Sequence, residues 1–233
     1  MPARPAKPSF AKPCLDIALM TDRLDAARAF WGETVGLPFE ETLRPQRGVA
    51  QHRFGIHGSV VKVNCVESLP EEPRSGIRAL WIADPAVTEA RRLEGPHGEH
   101  VERVAPGTRG ITALGIGLAV RDRERHRAFY RDVLGFDEDG DALVCGTTRL
   151  FLEEDPDAPA DASLFGPGYR YLTVQIFDCA ESHRRALAAG AQEGAPPRRA
   201  GEVAIFSMVR DPDGNWVELS QRASLTGPLP APG

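Results

Sequence analysis

One pair of neighbouring strand-like segments in the N-terminal half carries an unusual number of polar side chains. The stretch from Gln51 to Asn64, QHRFGIHGSVVKVN, is the most polar strand pair in the chain. Because alternate residues of a strand share one face, Lys62 and Asn64 point the same way. The neighbouring strand adds either Gln51 with Arg53 or His52 with Phe54 to that face.

Two interpretations of this strand pair are open. A lysine or histidine with a shifted pKa on a concave surface is suited to removing a proton next to a carbonyl group. Alternatively, Lys62 forms an internal ion pair, and His52 and His57 lie on the surface. The residue types alone favour neither interpretation decisively.

A second group of polar residues follows a tight turn near the C-terminus. The turn Asp211-Pro212-Asp213-Gly214-Asn215 has the residue types that favour a hairpin. The strand that follows places Trp216, Glu218 and Ser220 on one face by its two-residue repeat. Burying a carboxylate on the concave face of a sheet costs free energy unless it is paired or takes part in the chemistry, so Glu218 is a candidate functional residue.

Composition and motifs exclude several classes of protein. The net charge of −5 is spread over 28 basic and 33 acidic residues, and no basic tract predicts a nucleic-acid partner. No apolar run is long enough to span a membrane, the N-terminus lacks a signal-peptide core, and the four cysteines form no C-x-x-C pair. The chain is therefore predicted to be a cytoplasmic protein with reduced thiols.

His126 and His183 lie among helix arginines and are predicted to be solvated.

A pattern of about 50 residues repeats along the chain and must position these side chains. A strand leads into an amphipathic helix, a glycine and about three further short strands. The helices of the first and third copies align without a gap, with Phe30-Trp31 against Phe129-Tyr130 at core spacing. One such unit cannot bury its sheet face alone, so units are expected to pair into strongly curved sheets with a concave interior.

The predicted organisation is two tandem domains of the α+β class. Residues 12–109 form an N-terminal domain with a complete first unit and an abbreviated second unit. Residues 110–222 form a C-terminal domain from the third and fourth units. The proline-rich ends, 1–11 and 223–233, are predicted to be disordered tails.

Three strings resemble the vicinal oxygen chelate superfamily, which includes glyoxalase I, bleomycin-resistance proteins and extradiol dioxygenases. They are GLAVRDRERHRAFYRDVLGF, VRDPDGNWVELSQR and, more weakly, IALMTDRLDAARAFWGETVGL. The resemblance covers roughly residues 12 to 222 and implies paired βαβββ units that enclose cups. In that family, first-strand residues and a last-strand carboxylate hold a metal ion.

Carried over position by position, the resemblance implies a degenerate metal centre. Glu218 matches the last-strand carboxylate, but the first-strand positions are Gly115 and Tyr171, and the third unit's last-strand position is Phe151. In the first unit the corresponding residues are Asp16 and Lys62. An acid facing a lysine makes an ion pair and not a metal site, so no cofactor is expected. If the alignment is shifted by one residue, other side chains take these positions, and a site for a divalent iron, manganese, nickel or zinc ion is then possible.

Two main functions follow from this resemblance, both acting on a small organic molecule in a cup. The first is an acid-base enzyme, such as a lyase or isomerase, with candidate catalytic residues Glu218, Tyr171, Asp16, His52 and Lys62. The second is metal-free sequestration of a ligand, as in the bleomycin-resistance relatives, with Trp216, Phe206, Asn64 and Arg149 as candidate binding residues. A metal-dependent lyase or dioxygenase is a weaker alternative. No nucleic-acid or membrane partner is expected, and a homodimer is allowed.

Overall fold

Fifteen strands in two mixed sheets form the framework of the protein, whose computed structural model describes residues 9–231. The eight-stranded sheet contains β1 (Phe10–Thr21), β2 (Phe39–Gln46), β3 (Val49–Ile56), β4 (Ser59–Cys65), β12 (Gly168–Ile176), β13 (Gln192–Ala200), β14 (Ala204–Arg210) and β15 (Trp216–Arg222). The seven-stranded sheet contains β5 (Ile77–Ala83), β6 (Arg91–Glu94), β7 (His100–Val104), β8 (Leu114–Val120), β9 (Asp137–Asp139), β10 (Ala142–Cys145) and β11 (Thr148–Glu154).

Short helices follow the first strands of three units. They are α1 (Leu24–Arg28), α2 (Arg123–Ala128) and α3 (Cys179–Ala188), and α4 (Ala223–Thr226) comes after the last strand. The first two continue as π-helical turns over Ala29–Thr34 and Phe129–Val133. Asp122 and Asp178 cap α2 and α3 by accepting hydrogen bonds from backbone N–H groups three residues on. None of the helices among residues 9–231 has the length and apolar character needed to cross a membrane.

The predicted α+β class with curved sheets of paired units is confirmed, but the units pair in a different order. Strand β1 lies antiparallel to β12, so the first unit shares its sheet with the fourth. Strand β5 lies antiparallel to β8, so the second unit shares its sheet with the third. The short segment 105–113 turns the chain back into the same sheet after β7, which leaves the first unit to pair with the last. The boundaries at 12–109 and 110–222 stay a prediction.

The chain ends differ in part from the predicted tails. Phe10 belongs to β1, where it pairs with Ile176 and packs edge-on against Phe136 at a ring distance of 5.9 Å. Residues 223–226 form α4. Packing of Phe10 against the core explains why β1 includes residues of the predicted tail. The rest of the predicted tails, residues 1–8 and 232–233, lies outside the described residues.

The second unit is abbreviated, as predicted, because it has no helix between its first two strands. The segment after β5 turns at Asp84 and then forms β6. In the fourth unit, strand β13 runs through Pro196 and Pro197, which the sequence analysis had not assigned to a strand. Prolines are tolerated there because β13 is at the edge of its sheet.

Strand alternation divides the central residues between a core and a concave face. Ile17, Leu19, Val61 and Val63 are fully buried in the main core, which both sheets and the helices share. The intervening residues of β1 and β4 therefore point to the opposite, concave side of the eight-stranded sheet. This alternation sets which polar side chains meet inside the cup.

The turn before β15 is anchored by buried charge. The Asp211 carboxylate accepts hydrogen bonds from Asp213 N and Asn215 N at 3.0 and 2.9 Å, and Tyr130 Oη donates to it at 3.1 Å. His126 Nε2 lies 3.6 Å from Asp211. His126 was predicted to be solvated, but it is fully buried because its ring fills the space between α2 and this turn.

The prediction for His183 was wrong for a related reason. Its ring is buried where α3 crosses the sheet edge, and Nε2 contacts Glu193 Oε1 at 2.9 Å. A histidine among helix arginines can thus lie on the sheet-facing side of the helix.

Candidate functional site

A cavity of about 950 Å³ occupies the concave face of the eight-stranded sheet. Its walls come from both units of that sheet and from the segment 163–165, which lies over the β15 side. This volume is near the upper end of the range for small-molecule pockets. The cavity is large enough for an organic molecule of drug size.

A buried ion pair lies at the floor of the cavity. Lys62 Nζ lies 3.2 and 3.1 Å from the two carboxylate oxygens of Glu218 and donates to Thr173 Oγ1 at 2.8 Å. Burial lowers the pKa of Lys62, and the negative charges of Glu218 and Asp16 oppose that shift. The ammonium group also lies 5.6 Å from the centre of the Tyr171 ring. Three predicted site residues, Lys62, Tyr171 and Glu218, therefore meet in one place.

Asn64 links the floor to the β3 wall. Its amide donates to Leu19 O at 3.1 Å and to Tyr171 Oη at 3.3 Å, and its Oδ1 accepts from Gln51 Nε2 at 2.9 Å. Arg53 Nη1 then donates to Gln51 Oε1 at 3.2 Å. Burial and the nearby Glu218 charge raise the pKa of Tyr171, which keeps its hydroxyl protonated. Gln51 and Arg53, and not His52 and Phe54, thus belong to the cavity face of β3.

Asp16 is on the concave side of β1 but does not line the cavity, and it is not paired with Lys62. Its carboxylate binds Lys12 Nζ at 2.6 Å, Val60 N at 2.9 Å and Gln175 Nε2 at 3.0 Å, and it is fully buried. The expected Asp16–Lys62 pair is therefore replaced by Glu218–Lys62. The curl of the sheet brings Glu218 on β15 within reach of β4, whereas Asp16 is held by nearer donors.

His52 and Arg149 are placed outside the cavity. His52 is on the opposite face of β3, where Nδ1 contacts Thr42 Oγ1 at 3.0 Å. Burial and the charges of nearby arginines lower the pKa of His52. Arg149 belongs to the seven-stranded sheet and pairs with Asp139 at 2.8 Å. Neither the candidate catalytic residue His52 nor the candidate binding residue Arg149 thus lines this cavity.

Trp216 and Phe206 line the cavity, as the sequence predicted for binding residues. The sequence analysis missed several other lining residues, of which Arg222, Arg198 and Met208 are the most informative. Arg222 continues the alternation that runs through Glu218 and Ser220, so the same two-residue rule could have found it. Arg198 could not be found in this way because β13 was not recognised as a strand.

The cup of the seven-stranded sheet is filled by side chains. A Cβ atom at Gly115 would lie 2.7 Å from Ile111 Cδ1. Trp81 and Phe151 contact edge to face at 5.7 Å, and the Arg109 guanidinium lies 3.9 Å from the centre of the Phe151 ring. Among residues 9–231, the predicted site residues that come together therefore do so in the cup of the eight-stranded sheet.

The residues at the cavity floor do not fit a divalent metal ion. The Glu218 carboxylate faces the Lys62 ammonium, and the first-strand positions carry Tyr171 and an Asp16 that is already fully engaged. Within residues 9–231, no group of three or more His, Cys, Asp or Glu side chains converges as metal ligands would. The metal-free state itself stays a prediction.

The fold and the cavity together define a class of protein built from paired βαβββ modules with a binding cup between two modules. Comparisons with solved structures agree with this paired-module fold. A mutant glyoxalase I from Zea mays superposes with a TM-score of 0.70 at 17% identity, covering 91% of this chain and 94% of that chain. The cppA protein from Streptococcus pneumoniae superposes with a TM-score of 0.59 at 8% identity, covering 91% and 100%. At these identities the likeness concerns the fold alone.

Residues 111–219 match the model of the Glyoxalase/Bleomycin resistance protein/Dioxygenase superfamily. This sequence match covers most of the third and fourth units, and the likeness in fold to glyoxalase I extends over 91% of the chain. No curated protein sequence matches the chain.

Proposed function

We propose that this protein binds a small organic molecule in the cavity of its eight-stranded sheet without a metal ion. The observation that supports the proposal is the Lys62–Glu218 ion pair at the cavity floor. In a metal-dependent relative the floor carboxylate would be a ligand, whereas here it is neutralised by an ammonium group from the facing unit. The apolar and aromatic residues around this pair suit the body of an organic ligand.

Binding of an uncharged fluorescent probe tests this proposal. The probe is N-phenylnaphthylamine, and its fluorescence is measured by exciting the probe itself. We expect it to bind the wild-type protein with the same affinity with and without excess EDTA. Ala195 lines the cavity from the edge strand β13, and Ala195→Phe is expected to weaken binding about tenfold by filling the space. Ala188→Phe, on the exposed face of α3, is the matched control and is expected to bind as the wild type does.

Three results would count against the proposal. They are stoichiometric metal in protein purified without a histidine tag, loss of probe binding in EDTA, and full probe binding by the Ala195→Phe variant. Metal content is measured by mass spectrometry on the same preparations.

A second candidate function is acid-base catalysis at the same floor. The lowered pKa of Lys62, caused first by burial, and its contact with Glu218 favour this candidate. A substrate carbonyl oxygen could accept a hydrogen bond from Lys62 while the Glu218 carboxylate removes the adjacent C–H proton. The C–H electron pair would then form a C=C bond while the π pair of the carbonyl moves to its oxygen, which gives an enolate facing Lys62.

Deuterium exchange tests the catalytic candidate separately from binding. If the pair moves protons, the methylene protons of phenylpyruvate should exchange in D₂O faster with the protein than in buffer, as followed by NMR. The Glu218→Gln variant is expected to lose this acceleration, because an amide cannot take up the proton. Exchange at the buffer rate with the wild-type protein would remove phenylpyruvate-type enolisation and leave binding as the function.

The cytoplasmic location, the lack of nucleic-acid partners and the homodimer allowed by the sequence stay predictions.

A further inference from the structure

The lining of the cavity is strongly basic although the chain is acidic. The chain has a net charge of −5, yet seven of the residues that line the cavity are arginine or lysine and one, Glu218, is acidic. A concave site with walls of low dielectric constant focuses such a field. The cavity is therefore electrostatically distinct from the rest of the protein.

Three of the seven cations are neutralised by carboxylates. Lys62 pairs with Glu218, as described above. Arg210 Nη1 lies 3.1 Å from Asp161, and Arg199 Nη2 lies 2.7 Å from Glu202. These three side chains add little net charge for a ligand to meet.

Arg53 and Arg222 share a single close carboxylate. Glu41 Oε1 lies 3.3 Å from Arg53 Nε and 3.3 Å from Arg222 Nη2, and Glu40 reaches only to 4.0 Å from Arg53. The Nε atoms of both arginines are buried and have no hydrogen-bond partner among residues 9–231. Two guanidinium groups, each with a buried Nε–H that makes no hydrogen bond among these residues, therefore approach the same Glu41 oxygen.

Two further arginines at this cavity have no carboxylate within 4.0 Å in the described part of the chain, namely Arg44 and Arg198. Arg198 lies over the Phe206 ring at 5.8 Å and is opposite Phe206 in the β13–β14 pairing. Phe206 in turn pairs with Ser220, two residues before Arg222, so Arg198 and Arg222 line the same end of the cavity from strands that β14 separates. The positive charge in excess at this end of β15 thus comes from Arg198, which has no carboxylate partner in the described residues, and from Arg53 and Arg222, which share Glu41.

The other end of β15 is mainly aromatic, and Arg210, which lies over the Trp216 ring at 4.0 Å, is neutralised there by Asp161. Tyr171 and Met208 form a small buried cluster on the cavity side, with Leu164 and Trp216 packed against it. Trp216 and Arg222 share one strand and one face, six residues apart, which corresponds to about 20 Å along the strand. The cavity therefore has an aromatic end and a basic end.

We propose that the ligand of this cavity is an elongated amphipathic organic anion. Its apolar or aromatic body contacts Trp216 and Met208, and its acidic oxygens accept hydrogen bonds from Arg222 and Arg198. Guanidinium groups suit this role because their forked donors match the geometry of a carboxylate. The inference rests on the proposed binding function and adds the chemical class of the ligand.

A matched pair of fluorescent probes tests the inference. Dansyl-aminoundecanoic acid and its methyl ester differ only in the acidic group, and both have an aromatic end. We expect the wild-type protein to bind the acid at least about tenfold more tightly than the ester, equivalent to about 1.4 kcal/mol. The affinity is measured by titration of dansyl fluorescence.

Variants of the basic end locate the effect. Arg222→Gln and Arg198→Gln are each expected to weaken binding of the acid about tenfold and to leave binding of the ester unchanged. Arg222→Lys keeps the charge and is expected to retain part of the preference. Arg184→Gln, an exposed arginine on α3, is the control and should behave as the wild type does. Thermal unfolding of each variant shows that the fold is retained.

The outcomes separate the two proposals. Equal affinities for acid and ester in the wild type, or unchanged acid binding in both glutamine variants, would overturn the anion inference alone. If Ala195→Phe leaves binding of the ester unchanged, the probes do not occupy this cavity, and the proposed function fails with it.

Discussion

Replacing Lys62 with methionine is expected to destabilise the protein by about 3–5 kcal/mol, measured by urea denaturation at neutral pH. The substitution removes the ammonium group from Glu218 and from Thr173 Oγ1 and leaves a carboxylate in the cavity floor without its counter-charge. Breaking a buried ion pair by removing one partner costs this much because the remaining charge is uncompensated. Only 3% of the Lys62 residue surface is exposed, so water screens the pair weakly.

The double variant Lys62→Met/Glu218→Gln shows whether the cost comes from the unpaired charge of Glu218 or from the change in the side chain at position 62. With the charge of Glu218 also removed, we expect most of the stability to return. The coupling free energy between the two sites in a double-mutant cycle should therefore exceed about 1 kcal/mol. Additive effects of the two single substitutions would show that the pair does not hold the floor together.

Replacing Asp211 with alanine is expected to cost about 3 kcal/mol of stability. The carboxylate accepts hydrogen bonds from two backbone N–H groups of the turn and from the buried Tyr130 hydroxyl. Hydrogen bonds to a charged group contribute about 1.5–3 kcal/mol each, and the lost acceptor leaves buried donors unpaired. The turn leads directly into β15, so the substitution should also reduce binding of N-phenylnaphthylamine.

The cost of this substitution is expected to depend on pH through His126. Burial alone would lower the pKa of His126, but the hydrogen bonding and charge of Asp211, supported by Asp122 and Asp213, raise it. A raised pKa in the folded state contributes stability that is fully present below the unfolded value of about 6.5. That stability is lost as the pH rises through the folded pKa.

Urea denaturation at about pH 6 and pH 8 checks this expectation, since the unfolded histidine titrates near pH 6.5. Asp211→Ala should cost more stability at the lower pH, where the wild type has a protonated His126 facing Asp211. Asp211→Asn is the conservative control, because it keeps an acceptor for the turn and loses the charge. Equal costs at both pH values would contradict the assigned role of His126.

The strand register of the site could be predicted from the sequence to a large extent. Two-residue alternation correctly places Lys62 with Asn64 and Trp216 with Glu218 on the cavity face. It could not choose between the two faces of β3, because both carry polar residues. Packing made that choice, since Phe54 fills the core and thereby turns His52 away from the cavity.

The partners of the polar residues could not be predicted in the same way. Asp16 and Lys62 lie on adjacent strands, and the sequence suggested that they pair. In the structure Lys12, four residues from Asp16, binds its carboxylate, and Glu218 reaches Lys62 from a distant unit. Which polar residues pair depends on how strongly the sheet curls, and the local residue pattern does not determine that curl.

The sequence by itself determined the repeated unit and the superfamily resemblance, and it predicted the loss of the family's ligand residues, because these depend on residue types at fixed spacing. Only the tertiary structure decided that the first unit pairs with the fourth. It also decided that the second cup is filled and that the arginines of β3, β13 and β15 meet at one end of a single cavity. Strand pairing between units brings together residues more than 150 positions apart, as in the Lys62–Glu218 contact, and local periodicity carries no information about such contacts.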